Sequence, residues 1–526
     1  MSEWKRIDET SVWSAISERQ AERLARVLNP DRIARRIIRT GGGLDFSYAA
    51  MDADDETIRL LGMAAVELSL ISQFRAVASG AVMNPGEHRM VLHHVTRGTP
   101  CGPVIVEGRD YRKFYETERL RAASFADRVR SGQIAGSTGK RFERVVQIGI
   151  GGSDLGPRAL YLALEQWARE RGRLQLRASF ISNVDPDDAN GVLAGVDPET
   201  TLFILVSKSG TTQETLANEA LVKAHLASVP GLDPAGHLVA VTSETSPLAH
   251  NPGYLDSFYI DDYIGGRYSA TSAVGGVILS IALGPDTFLG ILEGAAEADR
   301  LALEPEISRN ASLLDAMLGI YERDVLGRPM VAILPYSQAL SRFPAHLQQL
   351  DMESNGKHYD RSGTPLTMAS GPVIFGEPGT NGQHSFYQHL HQGTDTVPLQ
   401  FIGFRKNQTA FDPEFEGSSA RHKLNANLAA QIVAFALGKD DENPNKRFSG
   451  GRPSSLILGD ELDPRALGAL LAHYENKVMF QGFAWNINSF DQEGVQLGKK
   501  LTGTVLSAAG PSEPALAAYA RLLGAL

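Results

Sequence analysis

One predicted helix carries a carboxylate whose type and neighbours suit acid–base chemistry. In the segment from His346 to His358, read as a helix, Gln349 and Glu353 lie four residues apart and therefore share a face. A carboxylate beside an amide and Met352 could act as a general base. A surface glutamate is the alternative interpretation, because glutamate is mostly exposed in folded proteins.

Three histidines are grouped between Gly379 and Thr394, namely His384, His389 and His391. Their spacing suits a metal ion, but no nearby acidic residue completes a set of metal ligands. Acid–base chemistry is the better interpretation, because histidine exchanges its proton near neutral pH. A solvated or purely structural role remains open.

A lysine candidate lies near the end of the chain. If the segment from Phe490 to Lys500 is helical, Gln492, Gln496 and Lys499 fall on one face. Lys500 then points elsewhere, so Lys499 is the functional candidate. A solvated helix face is again the alternative.

Arg267 lies in the short segment Gly265–Ser269, just before the apolar stretch Ala273–Leu283. The glycines before it allow close approach of the main chain, and Ser269 can cap the following helix. A permanent positive charge at a helix entrance suits an oxyanion that forms only during a reaction. The alternative is a purely structural arginine, whose hydrogen bonds are all made within the fold.

A hydroxyl-rich loop joins a predicted strand, Leu202–Val206, to a predicted helix, Gln213–His225. Main-chain N–H groups, hydroxyls, a lysine and the positive end of the helix can converge there on one phosphate group. Simple capping of the helix is the alternative, and the order of residues is not that of a P-loop. The loop consists of Ser207, Lys208, Ser209, Gly210, Thr211 and Thr212.

Buried strands alternate with helices from Arg144 onward, which predicts an α/β fold with doubly wound parallel sheets. In such sheets ligands bind beyond the carboxyl ends of the strands, where Gly151–Gly156 and Ser207–Thr212 are placed. The predicted strands are Val145–Ile150, Phe180–Val184, Leu202–Val206 and Leu238–Val241, followed by Pro329–Pro335, Pro372–Phe375 and Pro398–Gly403.

The first hundred residues are predicted to be mainly helical, with helices at Trp13–Leu28 and Glu56–Ala78 separated by the loop GGGLDFSY. Further helices are predicted at Tyr111–Ser131, Arg158–Glu170, Ala420–Leu437, Pro464–Phe480 and Pro514–Leu523.

The composition is that of an ordinary globular protein, with 43% hydrophobic and 21% charged residues. The chain of 526 residues is longer than a domain with a single hydrophobic core usually is, so we expect at least two domains. The net charge of −10, without a long basic run, argues against nucleic-acid binding. One cysteine, Cys101, excludes an intramolecular disulfide and a cysteine-based zinc site.

Neither a signal peptide nor a membrane span is predicted. The chain begins MSEWKRIDET, which lacks an apolar h-region. The longest apolar runs, such as Ala273–Leu283, are too short to cross a bilayer. We therefore expect a cytoplasmic protein without a membrane partner.

Several blocks spread over nearly the whole chain carry a family resemblance. They are GEHRMVLH from Gly86, IGIGGSDLGP from Ile148, SKSGTTQET from Ser207, GGRYSATSAVG from Gly265, LQQLDMESNGK from Leu347, TNGQHSFYQHLHQGT from Thr380 and WNINSFDQEGVQLGK from Trp485. Together they resemble the glucose-6-phosphate isomerase (phosphoglucose isomerase) family, and the GGRYS and FDQxGV blocks are the most specific.

The resemblance implies two sugar-isomerase (SIS-type) α/β domains with mainly parallel sheets and additional N- and C-terminal helices. The first domain would span residues 110–284, and the second would combine residues 1–109 with 285–526. The implied reaction is the reversible isomerisation of glucose 6-phosphate to fructose 6-phosphate, in glycolysis and gluconeogenesis, through ring opening and a cis-enediol. No cofactor or metal is implied.

The resemblance also assigns roles to single residues. Glu353 would move a proton between C2 and C1, His384 and Lys499 would serve ring opening, and Arg267 would stabilise the enediolate. In this family a neighbouring subunit contributes the histidine, so a homodimer with shared active sites is implied. The residues that would hold the sugar phosphate are Gly152, Ser153, Ser207, Lys208, Ser209, Gly210, Thr211, Thr212, Gln349 and Gln492.

Two positions depart from the family pattern. Gln496 stands where a glutamate is common, which removes a negative charge from the face that carries Lys499. Ser209-Gly210 stands where many members have Thr-Phe. Neither change removes a group that the chemistry requires.

Two other functions are compatible with a phosphate loop. Another phosphosugar isomerase would share that loop but is not expected to contain the GGRYS and FDQxGV blocks. A non-catalytic phosphosugar sensor would have no need of Glu353, Arg267, His384 and Lys499 together, and no basic helix-turn-helix segment is evident.

Overall fold

The structure is a computed structural model that describes residues 4–98 and 102–526. Cys101 lies outside these residues. The strands are β1 (Ile37–Gly41), β2 (Leu44–Ala50), β3 (Val82–Asn84), β4 (Arg89–Met90), β5 (Ile105–Val106), β6 (Arg109–Asp110), β7 (Arg144–Ile148), β8 (Arg177–Ile181), β9 (Thr201–Val206), β10 (Leu238–Ser243), β11 (Ser257–Ile260), β12 (Met330–Pro335), β13 (Val373–Phe375), β14 (Leu399–Phe404) and β15 (Ser454–Gly459).

Helices cover the sheets and form the two ends of the described chain. They are α1 (Trp13–Ser17), α2 (Leu24–Val27), α3 (Pro30–Arg35), α4 (Asp55–Glu67), α5 (Leu70–Ala78), α6 (Tyr111–Ser131), α7 (Leu155–Glu170), α8 (Pro186–Leu193), α9 (Gln213–Ala227), α10 (Ala273–Leu283), α11 (Pro285–Leu301), α12 (Ala311–Ile320), α13 (Phe343–Leu347), α14 (Tyr387–Gln392), α15 (Ala420–Leu437), α16 (Pro464–Ala484), α17 (Gln496–Leu506) and α18 (Pro514–Leu522).

The first large sheet has the strand order β11-β10-β9-β7-β8, and all its pairs are parallel. Each residue of β9 is buried, because helices cover both faces of the sheet. Leu202 and Ile204 pack into a core with α7 and α10, whereas Phe203 and Leu205 pack against α8 and α9. The α/β prediction is thereby confirmed for this region.

The second large sheet has the order β1-β2-β15-β14-β12-β13. Strands β15, β14, β12 and β13 run parallel, but β2 pairs antiparallel with both β1 and β15. Ile333 of β12 shares the large core with Leu202 of the first sheet and with α16, in which every residue except Arg465 is buried. The mainly parallel character predicted for the sheets is therefore correct.

The N-terminal prediction needs three corrections. The predicted loop GGGLDFSY instead forms the turn after β1 and most of β2, which pairs with β1 on one side and with β15 on the other. The predicted helix Trp13–Leu28 is broken between α1 and α2, where the Glu22 main-chain N–H donates to Asp52 O at 2.7 Å. The predicted helix Glu56–Ala78 is split at Ser69, whose φ is 54°.

Among the described residues, no single helix is long and apolar enough to cross a bilayer. Helices α4 and α5 together have the necessary length and apolar composition, but the chain is bent between them.

Candidate active site

The hydroxyl-rich loop follows β9 and leads into α9, as predicted. The Ser207 hydroxyl donates to Thr212 Oγ1 at 3.2 Å, and the Thr211 N–H and hydroxyl donate to Ser209 Oγ at 3.2 and 2.9 Å. Gly210 has a φ of +67°, and a Cβ there would overlap Ser246 Oγ. Hydroxyl groups and the N-terminus of α9 thus meet in one short loop, a suitable arrangement for a phosphate group.

Lys208 faces the neighbouring segment rather than the hydroxyl groups of its own loop. Its Nζ lies 3.4 Å from Ile264 O, to which it donates, and 3.7 Å from Asp262 Oδ1. It lines a small cavity together with Gly265 and Gln492. The lysine therefore brings positive charge to the space between the hydroxyl-rich loop and the loop that carries Arg267.

The glycine turn after β7 packs directly against that same loop. A Cβ on Gly152 would overlap the main chain of Gly266, so only glycine permits this approach. Ser269 Oγ lies 3.4 Å from Gly152 O and donates to Gly266 O at 2.6 Å. Ser153 completes the 3₁₀ turn, and its carbonyl accepts a hydrogen bond from Gln147 Nε2 at 2.7 Å.

Gln349 and Glu353 lie on a π-helical turn, Gln348–Glu353, that continues α13. The helical prediction is correct, but the widened turn is a difference, and such turns are frequent at functional sites. A Cβ on Gly151 would lie 3.3 Å from Gln349 Nε2, which places the glycine turn beside the amide. Gln349 Oε1 and Glu353 Oε2 are buried without a hydrogen-bond donor among the described residues. Neither oxygen therefore has a hydrogen bond from the protein in the described part of the chain.

Arg267 is fully buried and firmly held. Its Nε donates to Ser354 Oγ at 2.6 Å, and its Nη2 donates to the carbonyls of Ser489 and Asp491 at 2.6 and 2.8 Å. Its Nη1 lies 3.5 Å from Glu353 Oε2. The guanidinium is thus preorganised beside the candidate base.

The tyrosine next to this arginine belongs to the same network. The Tyr268 hydroxyl shares a 2.9 Å hydrogen bond with Ser354 Oγ, and burial raises the pKa of Tyr268. Tyr268 therefore stays neutral at physiological pH and supports Ser354, which in turn holds Arg267.

His384 and Lys499, two of the predicted catalytic residues, are exposed in the single chain. His384 ends a 3₁₀ turn and is exposed, and Lys499 is exposed on α17, a helix without any buried residue. Neither has a hydrogen-bond or ion-pair partner among the described residues. Gln492 precedes α17 and lines the cavity with Lys208, and Gln496 is the first residue of that helix.

Sequence reasoning missed the residues that position Arg267. Ser354 follows Glu353 directly, and Ser489 and Asp491 lie in the block that begins at Trp485, but two of these three contacts use main-chain carbonyls. A carbonyl contact leaves no signal in residue type. In the sequence, only the polar residue Ser354, directly after Glu353, could have indicated this network.

Loops at the carboxyl ends of parallel strands combine hydroxyl groups with a carboxylate–arginine pair, and this defines an α/β enzyme with an anionic substrate. The sequence profile of the phosphoglucose isomerase family matches residues 45–516. The chain therefore belongs to the phosphoglucose isomerase family.

Individual proteins agree with this assignment. A glucose-6-phosphate isomerase of Treponema denticola is 57% identical over 530 residues, covering 99% of this chain and 100% of the relative. One from Treponema pallidum (strain Nichols) is 56% identical, with 99% and 98% covered. The crystal structure of a glucose-6-phosphate isomerase from Chlamydia trachomatis superposes with a TM-score of 0.92 at 43% identity, with 99% of each chain covered.

Proposed function

We propose that the residues around Glu353 and Arg267 convert glucose 6-phosphate reversibly to fructose 6-phosphate, the reaction for which the relatives are named. As a member of this family the chain is an aldose–ketose isomerase, and its substrate is a sugar phosphate. The observation that carries the residue assignment is the 3.5 Å approach of Arg267 Nη1 to Glu353 Oε2. It places a fixed cation beside a carboxylate oxygen that accepts no hydrogen bond from the described residues.

The carboxylate and the cation perform complementary parts of the isomerisation. Glu353 takes the proton from C2 of the open-chain aldose, and the electron pair moves to the carbonyl oxygen, which gives an enediolate. Arg267 stabilises the negative oxygen that forms in this step. A proton then moves from the O2 hydroxyl to O1, which places the negative charge on O2. Glu353 returns its proton to C1, and the C2=O bond of the ketose forms. This route needs no cofactor and no metal, because Glu353 transfers the proton and Arg267 stabilises the negative charge of the enediolate.

Ring opening has to come first, because the carbonyl group is masked in the cyclic sugar. It requires an acid and a base, and we assign His384 and Lys499 to these roles. The phosphate group takes no part in bond making. Its binding fixes the sugar in the productive orientation.

We assign the contacts with the substrate to two loops and two glutamines. The glycine turn and hydroxyl-rich loop hold the phosphate through Gly152, Ser153, Ser207, Lys208, Ser209, Gly210, Thr211 and Thr212, while Gln349 and Gln492 contact the sugar.

The active site is proposed to be shared between the two subunits of a homodimer. His384 is exposed in the single chain and has no partner among the described residues, which agrees with a role in a second subunit's site. A closed two-fold dimer would create two equivalent sites. We also propose a cytoplasmic location and the division into residues 110–284 and the two segments 1–109 and 285–526.

A coupled assay tests the reaction and its substrate. Glucose 6-phosphate and fructose 6-phosphate should interconvert at the same equilibrium from either side, whereas mannose 6-phosphate should react far more slowly. Faster turnover of mannose 6-phosphate would favour the alternative phosphosugar isomerase. Binding without any turnover would favour the sensor.

A further inference from the structure

The C-terminal part of the chain changes from buried to exposed at Asp491. Phe490 is 7% exposed, whereas α17 contains no buried residue. The side chain of Asp491 is 18% exposed, and Gln492 follows it directly. Because α17 buries no side chain, the position of Lys499 within a subunit depends on how the chain is held where it leaves the core.

Asp491 is held by three side chains. Its carbonyl oxygen accepts hydrogen bonds from Arg267 Nη2 at 2.8 Å and from Lys357 Nζ at 3.3 Å. Its carboxylate forms a close ion pair with Lys357 and accepts a hydrogen bond from Asn488 Nδ2 at 2.8 Å. Lys357 therefore contacts both the main chain and the side chain of one residue.

One of these contacts joins Asp491 directly to Arg267, and another joins it to a lysine close to Glu353 in the sequence. Arg267 is the cation that faces Glu353, and Lys357 lies four residues after Glu353 in the chain. The side chains of Lys357 and Asp491 are each only 18% exposed, so removing one charge leaves the other poorly solvated. The main chain must then move to solvate it.

We propose that the Lys357–Asp491 ion pair is a positioning pair for ring opening: it fixes the start of the C-terminal segment, and with it Gln492 and Lys499, relative to Glu353. The inference rests on the proposed role of Lys499. Neither Lys357 nor Asp491 contacts the reacting atoms in this account.

The test separates ring opening from proton transfer. Exchange between the α and β ring forms of glucose 6-phosphate requires opening of the ring but no proton transfer at C2, and magnetisation-transfer NMR measures it. Lys357→Met and Asp491→Asn should each slow the enzyme-catalysed exchange about 10- to 100-fold, the usual cost of a displacement near 1 Å. KM should change much less than kcat. Glu353→Gln should lower the rate of isomerisation about 10²- to 10⁴-fold but retain this exchange.

Three comparisons control the experiment. Lys357→Arg should restore at least half of the exchange, because a guanidinium can also bridge the carbonyl and the carboxylate. Lys223→Met removes a local lysine pair with Glu219 on α9 and should leave the exchange unchanged. The double variant Lys357→Met/Asp491→Asn should be no slower than either single variant.

The outcomes are distinguishable. Failure of the unaltered protein to isomerise glucose 6-phosphate would overturn the proposed function. Normal isomerisation without catalysed exchange would overturn the ring-opening role of His384 and Lys499, and the positioning pair with it. Unchanged exchange in a folded Lys357→Met or Asp491→Asn variant, or additive losses in the double variant, would overturn the positioning pair alone. If Lys357→Met does not fold, Asp491→Asn carries the same test.

Discussion

Arg267 and Glu353 approach each other to 3.5 Å, and the arginine is the member of the pair with fixed geometry. The guanidinium is held through Nε and Nη2, whereas Glu353 Oε2 accepts no hydrogen bond from the described residues. A fixed cation stabilises charge without reorganising during the reaction. A carboxylate oxygen that accepts no hydrogen bond can take up and release a proton.

Glu353→Gln keeps the shape of the side chain but removes the base. We expect kcat to fall about 10²- to 10⁴-fold, the usual contribution of a positioned acid–base group. KM should change little, because the phosphate loop is intact. Steady-state kinetics in both directions measures this. If the variant keeps most of its turnover, another residue is the base.

Arg267→Lys keeps the positive charge but removes the planar group that contacts three oxygen atoms. A lysine cannot reach Ser354 Oγ and both carbonyls with the same geometry, so the cation loses its fixed position. We expect kcat to fall about 10²- to 10³-fold, as for loss of one preorganised donor.

The matched control is Arg171→Lys, an arginine that is paired with Glu461 outside the site and should tolerate the change. Circular dichroism checks the fold of both variants. Retention of kcat within about fivefold in Arg267→Lys would show that charge alone suffices.

The pH dependence of stability has a contribution from His346. This ring is buried without a hydrogen-bond partner among the described residues, and burial lowers its pKa to about 4. In the unfolded chain the pKa is about 6.5, so between these values the unfolded state binds the proton and the native state does not. Stability from this group is therefore present above about pH 6.5 and is lost as the pH falls toward 4.

Replacing His346 by Met should remove that dependence. Between about pH 7 and 5 the unaltered protein should lose about 2 kcal/mol more unfolding free energy than His346→Met. Urea unfolding at the two pH values measures the difference. Equal losses in both proteins would show that the ring does not titrate in this way.

The proposed sharing of active sites can be tested by complementation. His384→Ala and Glu353→Gln should each be nearly inactive as homodimers. In a heterodimer one site combines both defects, and the other contains an intact Glu353 and an intact His384. About half of the normal activity per heterodimer should return.

The experiment is to unfold, mix and refold the two variants, isolate the heterodimer by two tags, and assay it. A heterodimer of two unaltered chains is the reference. Absence of recovery in a correctly assembled heterodimer would place His384 in the same subunit as Glu353.

The parallel sheets could be predicted because their strands carry their signal locally. Leu202–Val206 is apolar throughout and is found within β9, buried on both faces. The hairpin β1–β2 was missed although it carries a local signal. Leu44, Phe46 and Tyr48 alternate with Asp45 and Ser47 after a glycine turn, and this alternation matches the burial of β2. Only the pairing of β2 with β15 has no local signal, because the two strands are far apart in the sequence.

The site was predictable only where residue type and spacing carry the chemistry. Gln349 and Glu353 do share a helical turn, but spacing cannot distinguish an α-helical from a π-helical turn. The direction of Lys208 toward Ile264, and the carbonyls that hold Arg267, depend on tertiary contacts. The assignments of His384 and Lys499 come from family resemblance and stay predictions.

The order of strands in the second sheet affects how the chain can fold during synthesis. Strands β7 to β11 are complete once Ile260 has emerged, so the first sheet can form early. The hairpin β1–β2 must wait for β15, about 400 residues later, which corresponds to roughly 20 to 80 seconds at ordinary rates of translation. During this interval the edge of β2 that later pairs with β15 has no partner strand. The hairpin of a ribosome-bound chain can therefore bind chaperones through this edge until β15 has been synthesised.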